Sequence, residues 1–221
     1  MCGRYTLKTP ANVLVERFDL DDCPSSITPS YNIAPTQEIA AVVEEDEKRK
    51  LEMLRWGLIP SWAKDPSIGN KMINARAETV SEKPSFRKAF NVRRCLILAD
   101  GFYEWQKTDD SKQPYHIKME DDSTFAFAGL WETWGMNGEK IRSCAIITTD
   151  ANQLMHEIHH RMPVILHPED YEIWLDPNFD EKEPLMSLLK PYPADAMEAY
   201  PVSKRVNKPS NNVPSVLEPA A

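Results

Sequence analysis

The sequence predicts an α+β fold, a single domain over residues 1–221 with a mixed, barrel-like β core flanked by short helices. Strand-like stretches dominate the middle of the chain and do not alternate regularly with helices, which argues against a doubly wound parallel sheet. The 221 residues, 42% of them hydrophobic, are enough for one large core. The tail from about residue 205 is expected to be mostly extended.

The first third of the chain predicts one helix and one hairpin. Thr9 is expected to cap a helix over 10–18, because proline follows it at the first helical position. Residues 21–36 are rich in Pro, Ser and Asp and predict a loop. Glu38–Glu44 and Leu51–Leu58 are β-rich stretches joined by a polar segment, which predicts a hairpin.

Further elements follow in sequence order. The stretch Asn74–Glu78 could begin a helix or lie in a loop. Helices are expected at 85–90, 168–175 and 183–190. Another helix is expected to begin with Asp150 as its cap and to continue through residue 158. The other strand candidates are Arg94–Leu98, Phe102–Trp105, Tyr115–Met119, Thr124–Thr133, Ser143–Thr148 and Met162–Leu166.

Charge and cysteine usage limit the function classes. A net charge of −8 excludes a global positive field for nucleic acid, although a local basic groove stays possible. The four cysteines lack metal-ligand spacing, so we expect no metal, no cofactor and a reducing cytoplasm. No apolar run could span a bilayer and no signal peptide is evident. We therefore expect a cytoplasmic protein without membrane contact, and we also expect it to be a monomer.

The second residue, Cys2, has unusual chemical potential. Removal of Met1 would leave an α-amine with a pKa near ~7.7–8.0 beside a thiol near ~8.5. Such a 1,2-aminothiol closes on an aldehyde to form a thiazolidine ring. The alternative is that Cys2 simply lies in a frayed terminus.

Glu104 and His159 are the acid–base candidates. Strand alternation would place Glu104 on the face opposite its aromatic neighbours, where desolvation favours the protonated carboxyl, although it could equally be a surface residue. His159 lies at a predicted helix end beside Arg161, a suitable position for a proton shuttle. The segment from His156 to His160 also fits H-E-x-x-H, but no third metal ligand is evident downstream.

Three arginines flank these candidates and suggest phosphate contacts: Arg4, Arg76 and Arg161. Ordinary salt bridges are the alternative in so acidic a chain. Trp62 and Trp105 could stack on nucleobases, although tryptophans more often pack in the core.

An ordered set of motifs covers nearly the whole chain. Together they resemble the SRAP family, the SOS response-associated peptidase-like proteins that shield abasic sites in DNA. One departure is visible, because His160 stands where the family motif has aspartate, and we therefore assign the catalytic role to His159. The matching stretches are Cys2–Tyr5, Tyr31–Pro35, Trp56–Pro60, Asn74–Glu78, Gly101–Trp105, His159–Pro163 and Pro201–Ser203.

The resemblance implies chemistry on single-stranded DNA. The α-amine of Cys2 would condense with the aldehyde of an abasic sugar, and its thiol would close a thiazolidine. Glu104 would move protons, His159 would assist ring opening and release of the crosslink, and Asn74 would hold Cys2 in place. The remaining site residues would bind the DNA. The phosphates would be held by Arg4, Arg76 and Arg161, and the bases would be bordered by Asn32, Trp62 and Trp105.

Two other functions stay open. A thiol peptidase would use Cys2 as nucleophile and His159 as base, with its own Met1–Cys2 bond as the best-motivated substrate. A non-covalent binder of modified single-stranded DNA would use the groove alone. As a DNA–protein crosslinking enzyme, the protein would be lyase-like and would associate with the nucleoid when bound to DNA.

Overall fold

The computed structural model describes residues 2–109, 111–136 and 138–220. Met1 lies outside these ranges, so the predicted removal of Met1 does too. The α-helices are α1 (Ala11–Phe18), α2 (Arg87–Val92), α3 (Gln153–His156), α4 (Tyr171–Leu175) and α5 (Lys182–Ser187). The strands are β1 (Tyr5–Leu7), β2 (Ser30–Ile33), β3 (Glu38–Glu45), β4 (Lys48–Trp56), β5 (Asn74–Arg76), β6 (Arg94–Ala99), β7 (Gly101–Lys107), β8 (Lys112–Met119), β9 (Phe125–Met136), β10 (Glu139–Asp150), β11 (Arg161–Pro163), β12 (Ile165–Leu166) and β13 (Met197–Pro201).

Five strands close into a barrel in the order β10-β4-β3-β6-β9, because β9 pairs back onto β10. The β10–β4 pair is parallel and the other pairs around the ring are antiparallel, so the barrel is mixed. Strands β5, β11 and β12 attach to this sheet. The predicted α+β fold with a mixed, barrel-like core is confirmed.

A second, antiparallel sheet has the order β13-β8-β7-β1-β2. Strand β1 lies between β7 and β2, with Tyr5 opposite Phe102. The pairing extends toward the N-terminus, because the amide of Tyr103 donates to the carbonyl oxygen of Arg4 at 2.9 Å. This sheet therefore fixes the first described residues of the chain against β7.

The β3–β4 hairpin is confirmed, and its turn consists of Asp46 and Glu47. Both residues adopt left-handed conformations, with φ of 55° and 59°. A two-residue turn with two positive φ angles matches the twist of the flanking strands, which keeps Glu45 opposite Lys48.

The cap predicted for the first helix is wrong. Helix α1 begins at Ala11 and has no side-chain cap. The hydroxyl of Thr9 instead bonds to Asp100 at 3.1 Å and to Thr124 at 2.6 Å. A buried carboxylate that also accepts the amides of Lys8 and Thr9 competes successfully for this hydroxyl.

Two further local predictions fail. The stretch Asn74–Arg76 is a strand, held in parallel pairing by β10, and is neither helix nor loop. Helix α3 is a single turn whose cap is Asn152, whose side chain accepts the amide of Met155 at 2.9 Å. Asp150 remains in β10, so the helix expected through residue 158 starts later and ends at His156.

The C-terminal segment is packed against the second sheet. After β13 it forms 3-10 turns at Lys204–Asn207 and Pro214–Leu217. Val202, Val206 and Val216 form a small buried cluster with Tyr103 of β7. Within the described part of the chain, no helix is long and apolar enough to cross a membrane.

Candidate functional site

The N-terminal segment and strand β7 form the centre of the site. Side chains of β7 alternate between two environments, with Phe102 in the main core and Tyr103 in the small C-terminal cluster. Glu104 shares the face of Phe102 by this alternation and is 3% exposed. A carboxyl group is thereby buried next to the extended pairing that holds Arg4.

Cys2 is fully buried, with no exposed surface. Its carbonyl oxygen accepts a hydrogen bond of 2.8 Å from the side-chain amide of Asn74 at the start of β5. Burial raises the pKa of the Cys2 thiol well above its usual range, and the negative charge of Glu104 raises it further. The thiol therefore stays protonated near neutral pH.

His159 follows α3 and is half-buried. Burial lowers the pKa of its imidazole, while the charge of Glu104 acts in the opposite direction. The amide of Arg161 lies 3.0 Å from Nδ1, and the carbonyl oxygen of the same residue lies 3.2 Å away. Nδ1 cannot accept and donate at once, and the fixed amide donor favours the neutral ring with its proton on Nε2.

A pocket of about 530 Å³ connects the acid–base groups to the surface. Glu104, Trp105, Lys112, His159 and Asn207 line it. The charge of Glu104 acts on the ionisation of both Cys2 and His159, so these three predicted catalytic residues share one electrostatic environment. The structure thus brings Cys2, Asn74, Glu104 and His159 together.

Two lining residues, Lys112 and Asn207, were not identified from the sequence. The β7–β8 hairpin, in which Lys107 pairs with Lys112, could have indicated that Lys112 returns to the same end of the sheet. Asn207 bonds to the indole Nε1 of Trp105 at 2.8 Å. Its position depends on how the C-terminal segment folds back, for which the sequence offers no local signal.

Arg4 and Asn32 hold the C-terminal segment. The guanidinium of Arg4 donates to Asn32 Oδ1 at 2.8 Å and to the carbonyl oxygen of Val206 at 2.7 Å. Asn32 is 1% exposed and donates to the carbonyl oxygens of Lys208 and Asn211, both at 2.9 Å. Asn32 was expected to border the bases; its side chain is buried, and its contacts hold the C-terminal segment in position.

The other two arginines differ in their availability. Arg161 donates to Glu78 at 2.6 Å and to Asp150 at 2.9 Å, so carboxylates occupy the guanidinium expected to grip phosphate. Arg76 is exposed on β5, two residues from Asn74. The side chain of Arg76 is thus more accessible than that of Arg161.

The two tryptophans also differ. The indole of Trp105 lines the pocket, and the guanidinium of Arg4 lies 5.8 Å from its ring centroid. Trp62 is 59% exposed in the loop that follows β4. An exposed indole suits stacking on a base, although Trp62 is not part of the pocket wall.

The H-E-x-x-H segment does not form the helix that a metal site of this type requires. Helix α3 ends at His156, so His156 and His160 do not share one helical face. The rings of His159 and His160 instead stack, with centroids 4.4 Å apart. Among the described residues, no group of three or more potential ligands could hold a metal ion.

The fold and the pocket are those of a candidate enzyme in which the N-terminal segment of the chain forms part of the site. The chain belongs to the family described as SOS response associated peptidase (SRAP), whose profile matches residues 1–209.

Relatives and solved structures agree with this assignment. The chain is 50% identical to the abasic site processing protein YoqW of Bacillus subtilis over 99% of both chains. It is 32% identical to the abasic site processing protein HMCES of Mus musculus, covering 100% of this chain and 76% of that protein. A crystal structure of a protein from Bacteroides thetaiotaomicron matches with a TM-score of 0.90 at 31% identity, covering 100% of both chains.

Proposed function

We propose that this protein processes abasic sites in single-stranded DNA by forming a covalent crosslink through Cys2 after removal of Met1. One observation carries the proposal: Glu104 and His159 line the same pocket, and the charge of Glu104 acts on buried Cys2 as well as on His159. The names of the relatives, abasic site processing proteins, support the same substrate. The protein would then act in the DNA damage response.

The proposed reaction begins at the amine. The α-amine of Cys2 adds to the aldehyde carbon of the ring-opened sugar, and loss of one water gives a protonated imine. The thiol sulfur then adds to the imine carbon, the thiol proton leaves, and the imine nitrogen keeps its hydrogen as a ring amine. The product is a thiazolidine, formed with net loss of one water and no change in oxidation state.

The acid–base groups have distinct tasks in this scheme. Glu104 takes the proton from the amine or the thiol as each bond forms. Neutral His159, with its proton on Nε2, donates a hydrogen bond to the sugar ring oxygen during ring opening and again when the crosslink is released, while water carries the proton from the anomeric hydroxyl to that oxygen. Asn74 fixes the Cys2 carbonyl, which limits rotation of the nucleophile.

The ionisation of Cys2 favours this route over a thiol peptidase. Cysteine nucleophiles in peptidases need a lowered pKa, usually from a neighbouring positive charge. Here burial and the charge of Glu104 both raise the pKa of the thiol. An amine that reacts first removes the need for a thiolate in the ground state.

The test compares adducts with an abasic single-stranded oligonucleotide on a denaturing gel after heating. Wild-type protein and Cys23→Ser should form a heat-stable adduct, since Cys23 is another free cysteine on a different segment. Cys2→Ser should form none. A full-strength adduct from Cys2→Ser would refute the proposal.

A further inference from the structure

We infer that the turn from Ser203 to Lys208, called here the C-terminal basic turn, is the wall of the site that binds the phosphates of the DNA strand. This inference rests on the proposed function and adds the surface that the strand follows. The turn borders the pocket directly, because Asn207 is a lining residue and bonds to Trp105. A strand that enters the pocket therefore passes over it.

The C-terminal basic turn has a strong local charge in an acidic protein. Lys204, Arg205 and Lys208 are all exposed, and residues 202–217 contain no Asp or Glu. The ion pairs formed by the described residues include none of these three side chains. Three cations without an ion-pair partner next to the pocket give this surface a local positive field, although the protein as a whole has a net charge of −8.

Hydrogen bonds make the turn a rigid platform. The hydroxyl of Ser203 accepts the amide of Arg205, and the side chain of Asn211 donates to the carbonyl oxygen of Arg205 at 2.7 Å. The carbonyl oxygen of Val206 accepts from Arg4, and that of Lys208 accepts from buried Asn32. A backbone held at these points loses little entropy when its side chains bind phosphate.

The same bonds connect the turn to the reactive residue. Arg4 lies two residues after Cys2 and donates directly to Val206 in the middle of the turn. Phosphates bound by the flanking cations would therefore be placed at a fixed position relative to the N-terminal segment.

The neighbouring groove offers the strand no comparable path. A second cavity of about 610 Å³ lies beside Gln106 and Ile158, close to the site, and it contains Glu157 and Asp195 in its wall. Carboxylates repel phosphate, so this groove disfavours the backbone of DNA. The strand is directed toward the C-terminal basic turn instead.

The test measures how the affinity for an undamaged single-stranded oligonucleotide depends on salt. The variant is Lys204→Gln, Arg205→Gln, Lys208→Gln, which leaves Val206 and Asn207 in place. A charge-matched control, Lys48→Gln, Lys140→Gln, Lys190→Gln, removes three exposed cations elsewhere. Each lost phosphate contact lowers the slope of log K against log salt by about 0.7, so the first variant should lose about 2 and the control close to 0.

The crosslinking assay separates the two proposals. If the turn variant has the slope of the control and crosslinks an abasic oligonucleotide at the wild-type rate, the inference is wrong while the proposed function stands. If wild-type protein forms no crosslink at all, the proposed function fails whatever the slopes show. A slope loss of about 2 with slower crosslinking at 150 mM salt supports the inference.

Discussion

Replacing Asn32 with alanine should both loosen the C-terminal segment and slow crosslinking to abasic DNA. The change removes the side-chain NH2 group that donates to the carbonyl oxygens of Val206, Lys208 and Asn211, and the side-chain oxygen that accepts from Arg4. Each bond contributes about 1 kcal/mol net, and the buried donor of Arg4 loses one of its two acceptors. We expect a loss of about 2–3 kcal/mol in the free energy of unfolding.

Thermal unfolding followed by circular dichroism measures this loss. For a chain of this size, 1 kcal/mol corresponds to a shift of about 2–4 °C in the melting temperature, so the Asn32→Ala shift should be roughly 4–12 °C. Asn178→Ala is the control, because Asn178 is exposed and its side chain forms none of the hydrogen bonds above. The control should stay within about 0.5 kcal/mol of wild type.

The crosslinking rate gives the second readout for Asn32→Ala. Below its melting temperature the variant should crosslink more slowly, because Arg4 keeps its bond to Val206 but loses the bond to Asn32 that helps to fix its guanidinium between the N-terminal segment and the C-terminal basic turn. A melting temperature within about 2 °C of the Asn178→Ala control would contradict the assignment of Asn32 as a positioning residue.

Three further predictions concern charge. Burial lowers the pKa of His116 to about 3, below the unfolded value of ~6.5. The contribution of His116 to stability is therefore complete above pH ~6.5 and is lost as the pH falls toward 3. Denaturant titrations should show this loss, at most about 1.4 kcal/mol per pH unit, and His116→Gln should reduce it. Glu104→Gln should slow crosslinking about 100-fold while binding to undamaged single strands stays unchanged; equal crosslinking rates would exclude Glu104 as the proton-transfer group. Arg76→Gln should lower the salt slope by about 0.7, whereas Arg161→Gln should leave it unchanged and cost about 1 kcal/mol of stability; the reverse pattern would show that the ion pairs of Arg161 open to bind DNA.

The sequence could predict the elements whose signals are local. Alternation over Phe102–Trp105 indicated that Glu104 faces away from Tyr103, and the two adopt separate environments. The polar segment between two β-rich stretches indicated the β3–β4 hairpin. These predictions succeed because strand periodicity is set by covalent geometry.

Other features depend on contacts between distant segments. Asn74–Arg76 has no strand signal of its own and becomes a strand because β10 provides hydrogen-bond partners. The hydroxyl of Thr9 donates to the carboxylate of Asp100, 91 residues away, and does not cap the helix that follows it. Asn32 and Arg161 have polar side chains suited to DNA, but both form hydrogen bonds within the protein. Asn32 donates to the carbonyl oxygens of Val206 and Lys208. Arg161 donates to the carboxylates of Glu78 and Asp150.

Intact-mass measurement of the protein before and after incubation with an abasic oligonucleotide tests the central claim most directly. We predict a free protein that lacks Met1, and an adduct whose mass equals protein plus oligonucleotide minus one water. Cys2→Ser protein should give no such thiazolidine adduct. Retention of Met1 in protein that still forms the adduct, or an undiminished adduct from Cys2→Ser, would contradict a crosslink through the α-amine and thiol of Cys2.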